Sequence, residues 1–359
     1  MKKRYKIVLW SFLALFVVIF SFIILYSYTP IIDKAILRFI NLAVDKNVTI
    51  RYSKLEGNLL GDIRIQSPQI IFEGDTLTAS SISVNYSAED LLKGYLNIKF
   101  LSIDEPLLVI HPESKEKKDQ EELKSGQSID TLLSGIDLSG LPKMTISELL
   151  VRNGNVKIIE NNVQQNLTQI HLAALGEIQP EKVEFRVKYI KGLWLEKNLP
   201  LNQLSFVITG NQQRVTLNQL TMNLPGAEVY AHGEIEFMPV LRFLVFVDTS
   251  KVDISLIRQF SDSLPFKTGY LDFYGEYIGN PKDFTGNLYF HGAMDSIMLS
   301  KISFRYDYHY QAFSLRNINL VTNFGYLSGG LQVAPEGKNK VTLNFREVDL
   351  KRIGVSEYK

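Results

Sequence analysis

The residues Val183-Glu184-Phe185-Arg186-Val187-Lys188-Tyr189 alternate between apolar and charged side chains at every position. Ile302-Ser303-Phe304-Arg305-Tyr306-Asp307-Tyr308-His309-Tyr310 repeats the alternation later in the chain. Successive side chains of a β-strand point to opposite faces of the sheet, so each run predicts a strand with one apolar and one polar face. Similar runs recur from residue 48 onward. The pattern predicts a mainly-β chain whose sheet is apolar on one side.

Composition excludes several classes of function. The chain has 359 residues, a net charge of +1 and no cysteine. Without cysteine there are no disulfides, thiol nucleophiles or thiolate metal ligands. A net charge near zero does not favour binding to nucleic acid, so we expect no nucleic-acid partner. A hydrophobic content of 45% and a charged content of 21% are ordinary for a folded protein.

The N-terminus predicts a membrane anchor. Residues 1–6 contain four basic side chains and form the predicted cytoplasmic segment, and residues 7–28 are uncharged and mostly apolar. A helix over residues 7–28 would be about 33 Å long, which matches the hydrocarbon core of a bilayer. The positive-inside rule then places the N-terminus in the cytoplasm and the bulk of the chain in the periplasm of a single-pass inner-membrane protein. The residues nominated for the anchor and its interfaces are Trp10, Phe16, Phe20, Tyr26 and Tyr28.

A cleaved signal peptide is the alternative interpretation of the same segment. Its apolar region would normally span about 7–15 residues and end in a small-x-small site. Here the apolar run is longer, and Pro30 follows the weak site Ser27-Tyr28-Thr29. These observations favour an uncleaved anchor.

Residues 29–47 predict an amphipathic helix. Ile32, Ile36, Phe39 and Ile40 recur at helical spacing, with charged residues on the other faces. Two positions are consistent with this pattern. The helix covers one end of the first sheet as ordinary core, or it lies on the membrane surface.

The remaining chain divides into three predicted β blocks. The first spans residues 48–111, the second 131–262 and the third 263–359. Residues 112–130 are highly charged and predict a flexible loop. Short helices are expected at Ala88–Lys93 and within 252–262. The connections are too short for parallel crossovers, so we expect an antiparallel meander, with separate strands Met144–Leu150 and Asn155–Ile159 joined by a turn at Asn153-Gly154.

The second and third blocks contain a loose internal repeat. The residues from Phe246 to Ile257 resemble those from Leu343 to Ile353, since each has a strand followed by Val-Asp and a helix-like start. Such repetition is typical of elongated sheets that grow by adding similar strand groups. The second segment ends where a further repeat would begin, so we expect either that the third block continues in a longer protein or that this chain is a short member of its kind.

No motif in the chain predicts catalysis. The five histidines are His111, His171, His232, His291 and His309, and none has a histidine or cysteine at metal-ligand spacing. There is no nucleophile elbow, phosphate loop or dinucleotide fingerprint. We expect neither an enzyme nor a bound cofactor or metal. The apolar face is the candidate functional surface.

The groove candidates come from the best alternating runs. Phe304, Tyr306, Tyr308 and Tyr310 share one face with few basic neighbours, which favours an apolar groove over a nucleic-acid platform. The complete set of candidates is Ile82, Val84, Tyr86, Val183, Phe185, Val187, Tyr189, Leu271, Phe273, Ile302, Phe304, Tyr306 and Tyr308.

The chain resembles the AsmA/TamB superfamily of envelope proteins. The similarity lies in the basic-then-apolar N-terminus and in the segments Leu55-Glu56-Gly57-Asn58-Leu59-Leu60-Gly61-Asp62-Ile63, Leu91–Val109 and Leu141–Val156. The glycine-led strands Gly233-Glu234-Ile235 and Gly329-Gly330-Leu331-Gln332-Val333 are also similar. Full members are usually much longer than this chain.

The resemblance implies an anchored, elongated and curved antiparallel β-sheet that forms a taco-like groove. Related bridge-like proteins carry phospholipid acyl chains along an apolar concave face. The expected function is phospholipid transport between inner and outer membranes during envelope biogenesis, with membrane lipids and an outer-membrane β-barrel protein as partners. The alternative is an assembly factor that assists insertion of outer-membrane β-barrel proteins by strand pairing. A two-sheet sandwich would hide the apolar face equally well without lipid.

Overall fold

A computed structural model of the protein describes residues 48–58, 61–72, 75–111, 143–160, 163–179, 181–211, 213–237, 241–261, 264–280, 282–309, 312–334 and 339–348. The described residues are mainly β, with few helices. No helix among them combines the length and the apolarity needed to cross a bilayer. The predicted anchor, amphipathic helix and charged loop lie outside these residues. The chain forms two compact units, of which unit 1 ends at Pro200 and unit 2 begins at Leu201.

Unit 1 contains short strands followed by three long ones. Its elements are β1 (Val48–Arg51), β2 (Lys54–Asn58), β3 (Asp62–Gln66), β4 (Gln69–Phe72), β5 (Asp75–Thr78), β6 (Ser81–Tyr86), α1 (Ala88–Leu92), β7 (Tyr95–Asp104), β8 (Leu107–Ile110), β9 (Lys143–Glu160), β10 (Val163–Gln179) and β11 (Lys182–Trp194).

The sheet of unit 1 forks at β9. One edge of β9 pairs with β10, which in turn pairs with β11. Along the other edge, residues 143–152 pair with β7 and residues 155–158 pair with β8. The first branch continues from β7 through β6 and β3 to β2, and the second from β8 through β5 and β4 to β1.

The fork corrects two predictions. Both β7 and β8 run parallel to β9, whereas we expected antiparallel pairing throughout. The expected turn at Asn153-Gly154 is wrong as well, because β9 continues through it. Asn153 has a positive φ of 52°, and the register with β10 shifts on either side of Gly154. The Asn155 N–H also donates to the Pro106 carbonyl at 2.7 Å, so pairing resumes beyond the irregularity. Asn-Gly here marks a bulge in a continuous strand.

The core of unit 1 lies on one face of this sheet. Tyr86 and Ile98 are direct cross-strand partners and are only 2% and 1% exposed. Burial raises the pKa of Tyr86 to about 12, with the charge of Asp62 as a second cause. Apolar side chains from both branches also line a cavity of about 250 Å³. Unit 1 therefore has a conventional core of buried apolar side chains.

Unit 2 is an antiparallel meander in which each strand pairs with the next. Its elements are β12 (Leu199–Gly210), β13 (Arg214–Leu224), β14 (Ala227–Glu236), β15 (Arg242–Asp253), α2 (Ile254–Arg258), β16 (Gly269–Asn280), β17 (Asp283–Met294), β18 (Ile297–His309), β19 (Ala312–Thr322), β20 (Gly325–Val333) and β21 (Lys340–Arg346). This part of the chain confirms the predicted meander.

Two predicted local features of unit 2 are also confirmed. The turn between β13 and β14 uses Gly226 at φ 83°, a left-handed conformation that glycine adopts without a steric cost. The short helix expected within 252–262 is α2, which contacts β15 and β16 and buries Ile254 and Leu256.

Candidate apolar binding face

The strand register of unit 2 brings the apolar residues of successive strands onto one face. Phe273 on β16 lies opposite Phe290 on β17, and Phe290 lies opposite Ile302 on β18. The row continues to Leu320 on β19 and Leu327 on β20. Side chains directly opposite each other in antiparallel strands share a face. We call this surface the apolar face of unit 2.

The apolar face extends over all ten strands of unit 2. Bulges shift the register within several strand pairs, yet apolar residues mostly stay opposite apolar residues or glycines on both sides of each shift; the exceptions are Ser250 opposite Phe273 and Thr322 opposite Leu299. Representative members, one or two from each strand, are Phe206, Leu220, Ala231, Val245, Val247, Phe273, Tyr277, Phe284, Leu288, Phe304, Tyr306, Leu315, Leu331 and Leu343.

Most side chains on this face are only half-buried. Phe273, Phe284, Phe290 and Phe304 all remain partly accessible to solvent. In the described part of unit 2, the fully buried apolar residues are few, namely Ala227, Leu241, Ile254, Leu256 and Leu299. A one-sided sheet in a soluble domain normally buries its apolar face against a second layer. Among the described residues of unit 2, the helix that contacts the sheet is the short α2, and it contacts β15 and β16.

The centre of the face is aromatic. Phe290 stacks with Phe273 and Phe304, with ring centroids 6.2 and 6.1 Å apart. Phe284 stacks with Tyr308 at 4.9 Å and also contacts Tyr277 at 5.0 Å. Aromatic pairs at these distances contribute more than their buried area alone. β16, β17 and β18 therefore form an aromatic platform with partly open rings.

Two tyrosines of this platform pair their hydroxyl groups with the backbone. The Tyr306 hydroxyl donates to the Glu276 carbonyl at 2.7 Å, and the Tyr277 hydroxyl donates to the Asn280 carbonyl at 3.2 Å. Burial raises the pKa of both phenols. Because both hydroxyls are satisfied by backbone, these side chains present mainly their rings on the apolar face.

Gly286 makes the position of Tyr306 possible. A Cβ at residue 286 would collide with the Glu276 carbonyl oxygen and with the Tyr306 ring. Since glycine has no Cβ, Tyr306 reaches from β18 across β17 to β16. The Tyr306 ring therefore lies along the sheet and does not project away from it at this point.

The opposite face of unit 2 is polar and rich in ion pairs. Arg214 pairs with Glu234 and Glu236, at 3.3 and 2.8 Å. Three of the five histidines pair with aspartates: His232 with Asp248, His291 with Asp272 and His309 with Asp283, at 3.1, 3.2 and 3.1 Å. Among the described residues, no three histidine or carboxylate side chains are grouped to hold a metal ion. Charge is thus confined to one side of the sheet.

The strand β21 extends the apolar face to an open position. Val341, Leu343 and Phe345 lie opposite Leu331, Gly329 and Leu327 of β20, and they are 61%, 45% and 62% exposed. Within the described residues, β21 pairs only along its β20 edge. Both the side chains and one backbone edge of β21 are therefore accessible in this part of the structure.

The structure separates the predicted groove candidates into two environments. Leu271, Phe273, Ile302, Phe304, Tyr306 and Tyr308 lie together on the apolar face of unit 2. In unit 1, Ile82, Val84, Tyr86 and Val187 are 3%, 5%, 2% and 2% exposed and belong to the core. Val183 and Phe185 share the face of Val187 and are half-buried.

Tyr189 does not share the face of Val187. A register shift between Ala173 and Ala174 places Val187 opposite Ala174 and Tyr189 opposite Ala173. Neighbouring residues of β10 point to opposite faces, so Tyr189 projects to the other side of the sheet. There it contacts Lys191, whose Nζ lies 5.6 Å from the ring centroid. The anchor candidates Trp10, Phe16, Phe20, Tyr26 and Tyr28 lie outside the described residues.

Several members of the face were missed in the sequence. Tyr277, Phe284, Leu288 and Phe290 lie in strands where glycine replaces an apolar residue, which interrupts the alternation at Gly275, Gly279, Gly286 and Gly292. Treating glycine as neutral in the pattern would have found them. No family model matches the chain, and no curated protein matches it either.

Proposed function

We propose that this protein is a lipid conduit of the cell envelope, which holds phospholipid acyl chains on the apolar face of unit 2. The observation that supports the proposal is a continuous apolar face over ten strands whose large side chains stay half-exposed. Each methylene group that leaves water for such a surface contributes about 0.8 kcal/mol. Ten methylenes would contribute about 8 kcal/mol, which is enough to hold a chain along the platform.

The cellular setting is part of the same proposal. The basic and apolar residues at the N-terminus favour an inner-membrane anchor with the sheet in the periplasm. The similarity of several segments to the AsmA/TamB superfamily favours transport between the inner and outer membranes. The separation of charge and apolar surface in unit 2 suits this role, because acyl chains contact one face and water the other.

Photo-crosslinking at adjacent positions tests the conduit. Phe304 lies on the apolar face, and Arg305 next to it lies on the polar face with its side chain 49% exposed. A photoreactive residue at 304 should crosslink phospholipid in cells, and the same residue at 305 should not. Equal labelling at both positions, or no lipid in the purified chain by mass spectrometry, would contradict the proposal.

A charge on the apolar face should block transport. We expect Phe304→Asp or Tyr306→Asp to abolish lipid retention, since a carboxylate there has no ionic partner on the face. Asn319→Asp is the matched control, because it adds the same charge on the polar face and keeps the oxygen that accepts from the Tyr326 hydroxyl at 2.8 Å. Lipid retention that survives both apolar-face variants would refute the conduit.

The second candidate function is assistance to β-barrel assembly. The accessible edge of β21 and its exposed apolar row favour it, because an extended partner strand gains main-chain hydrogen bonds and an apolar contact there. Leu343→Pro should remove strand pairing at this edge while lipid retention persists, because the Thr342 carbonyl faces β20 and the N–H of the next residue, Leu343, therefore faces the open edge. Loss of barrel assembly in Leu343→Pro, with normal assembly in Phe304→Asp, would favour this candidate over the conduit.

A further inference from the structure

The cavity of unit 1 is separate from the apolar face of unit 2. It measures about 250 Å³, and its lining residues all lie between Pro68 and Ile170. Ile70, Leu77 and Leu108 line it from the second branch, Ile82 and Ile103 from the first, and Val151 from β9 itself. The two branches therefore approach each other without filling the space between them.

The chemistry of the lining restricts what the cavity holds. The side chains are aliphatic apart from Phe72, Thr78 and Asn155. The Asn155 amide already donates to the Asn153 carbonyl at 3.2 Å, and the Asn155 N–H donates to the Pro106 carbonyl. An ordered water molecule needs about two to four polar partners, which this lining does not offer. The cavity thus favours an apolar occupant.

The volume sets the size of that occupant. An apolar cavity of about 150 Å³ in a protein core accommodates a benzene molecule, which has six carbons. By proportion, the cavity of unit 1 accommodates about ten carbon atoms. Leu77, Leu108 and Val151 in the lining are only half-buried, so the cavity is partly open to solvent.

We infer that unit 1 contains a second lipid site, which takes one saturated hydrocarbon tail of about ten carbons. The site binds either a medium-chain fatty acid or the end of a longer acyl group, since both have the same tail chemistry. It goes beyond the proposed conduit, because none of its residues belongs to unit 2.

A photoreactive decanoic acid tests the site in the full chain, kept in a steroid-based detergent that has no alkyl tail. Labelling should saturate and map to peptides that contain the lining strands of unit 1. Unlabelled octanoic acid should compete about 15-fold less well than decanoic acid, since each methylene changes affinity about four-fold. Hexadecanoic acid separates the two ligands. If it competes less well than decanoic acid, the site excludes the longer chain and takes a free medium-chain acid. If it competes about equally well, the additional carbons stay outside and the site takes the end of a longer acyl group. A further gain of about four-fold per methylene up to sixteen carbons would contradict a site of about ten carbons.

Two cavity-filling variants provide the decisive comparison. Val151→Phe and Ala79→Leu both add side-chain volume to the lining. Each should reduce decanoate labelling at least ten-fold while thermal unfolding stays at or above that of the parent chain. Ala79→Leu is the smaller change and remains informative if Val151→Phe fails to fold.

Phe304→Asp separates this site from the proposed conduit. It should leave decanoate labelling of unit 1 unchanged even when phospholipid retention on unit 2 is lost. Labelling that is spread over the chain, or that persists in a folded filling variant, would overturn the second site without affecting the conduit.

Discussion

Replacement of Gly286 by alanine should loosen the aromatic platform of unit 2. The added Cβ would collide with the Glu276 carbonyl oxygen and the Tyr306 ring, so both must move. Loss of the Tyr306 hydrogen bond costs about 1 kcal/mol, and the overpacking costs about 1–3 kcal/mol. Alanine is better than glycine inside a strand by about 0.5–1 kcal/mol, which offsets part of this. The expected net loss is about 1.5–3 kcal/mol.

Hydrogen exchange measured by mass spectrometry is the suitable assay. Amides of β16, β17 and β18 should exchange about 10- to 150-fold faster in Gly286→Ala, since 1.4 kcal/mol corresponds to a factor of ten. Tyr306→Phe removes only the hydroxyl and should raise local exchange about five-fold. The double variant should be no worse than Gly286→Ala alone, because the hydrogen bond is already lost there.

Gly61→Ala is the matched control for the glycine substitution. The nearest atom to a Cβ at residue 61 is the Tyr86 carbonyl oxygen at 3.8 Å, an ordinary contact. This variant should change exchange by less than about two-fold. If Gly286→Ala changes amide exchange as little as Gly61→Ala does, then Tyr306 is not held across Gly286.

Three further predictions concern the core, alkaline pH and the β21 edge. Ile98 is 1% exposed, so Ile98→Ala should lower the free energy of unfolding by about 2–5 kcal/mol in urea titrations. Ile98→Val should lower it by about 0.5–1.5 kcal/mol. Equal effects of the two variants would show that the site is not close-packed. The pKa of Tyr86 is raised to about 12, so the folded state favours the protonated phenol. The resulting contribution to the free energy of unfolding is up to about 3 kcal/mol. It is complete below about pH 10 and is lost as the pH rises to about 12. Tyr86→Phe should flatten that part of the pH–stability curve, and an unchanged slope would contradict the assignment. Phe345 is 62% exposed, so Phe345→Lys should change the free energy of unfolding by less than about 0.5 kcal/mol. If the β21 edge mediates self-association, this variant should reduce it in light scattering. Unchanged scattering would exclude self-association through this edge.

Local alternation predicted most of the strands and the two-sided character of unit 2. The runs at Val183–Tyr189 and Ile302–His309 are strands, and the turn at Pro225-Gly226 and the helix near Ile254 are confirmed. These features depend on residues close together in the chain, so the apolar–polar alternation and the turn residues are sufficient to predict them. The strand β10 was missed, because polar residues such as Gln164, Gln165 and Asn166 occupy its first half.

The pairing of distant segments could not be predicted from the local sequence pattern. Parallel pairing of β7 and β8 with β9 joins segments on either side of residues 112–142, and no local signal specifies it. The bulge at Ala173 that turns Tyr189 away from Val187 is set by the register with β10. The aromatic platform likewise depends on Gly286, and its role is visible only once the structure places Tyr306 across it.

By itself, then, the sequence determined that this protein is built from strands with one apolar and one polar face, because alternation is a property of each strand alone. Only the tertiary structure decided which of those faces are hidden. In unit 1, Ile82, Val84 and Tyr86 are buried, whereas the meander of unit 2 leaves Phe273 and Phe304 half-exposed. The two groups have the same pattern in sequence. They differ because burial depends on which other strands lie opposite, and that is settled by long-range pairing.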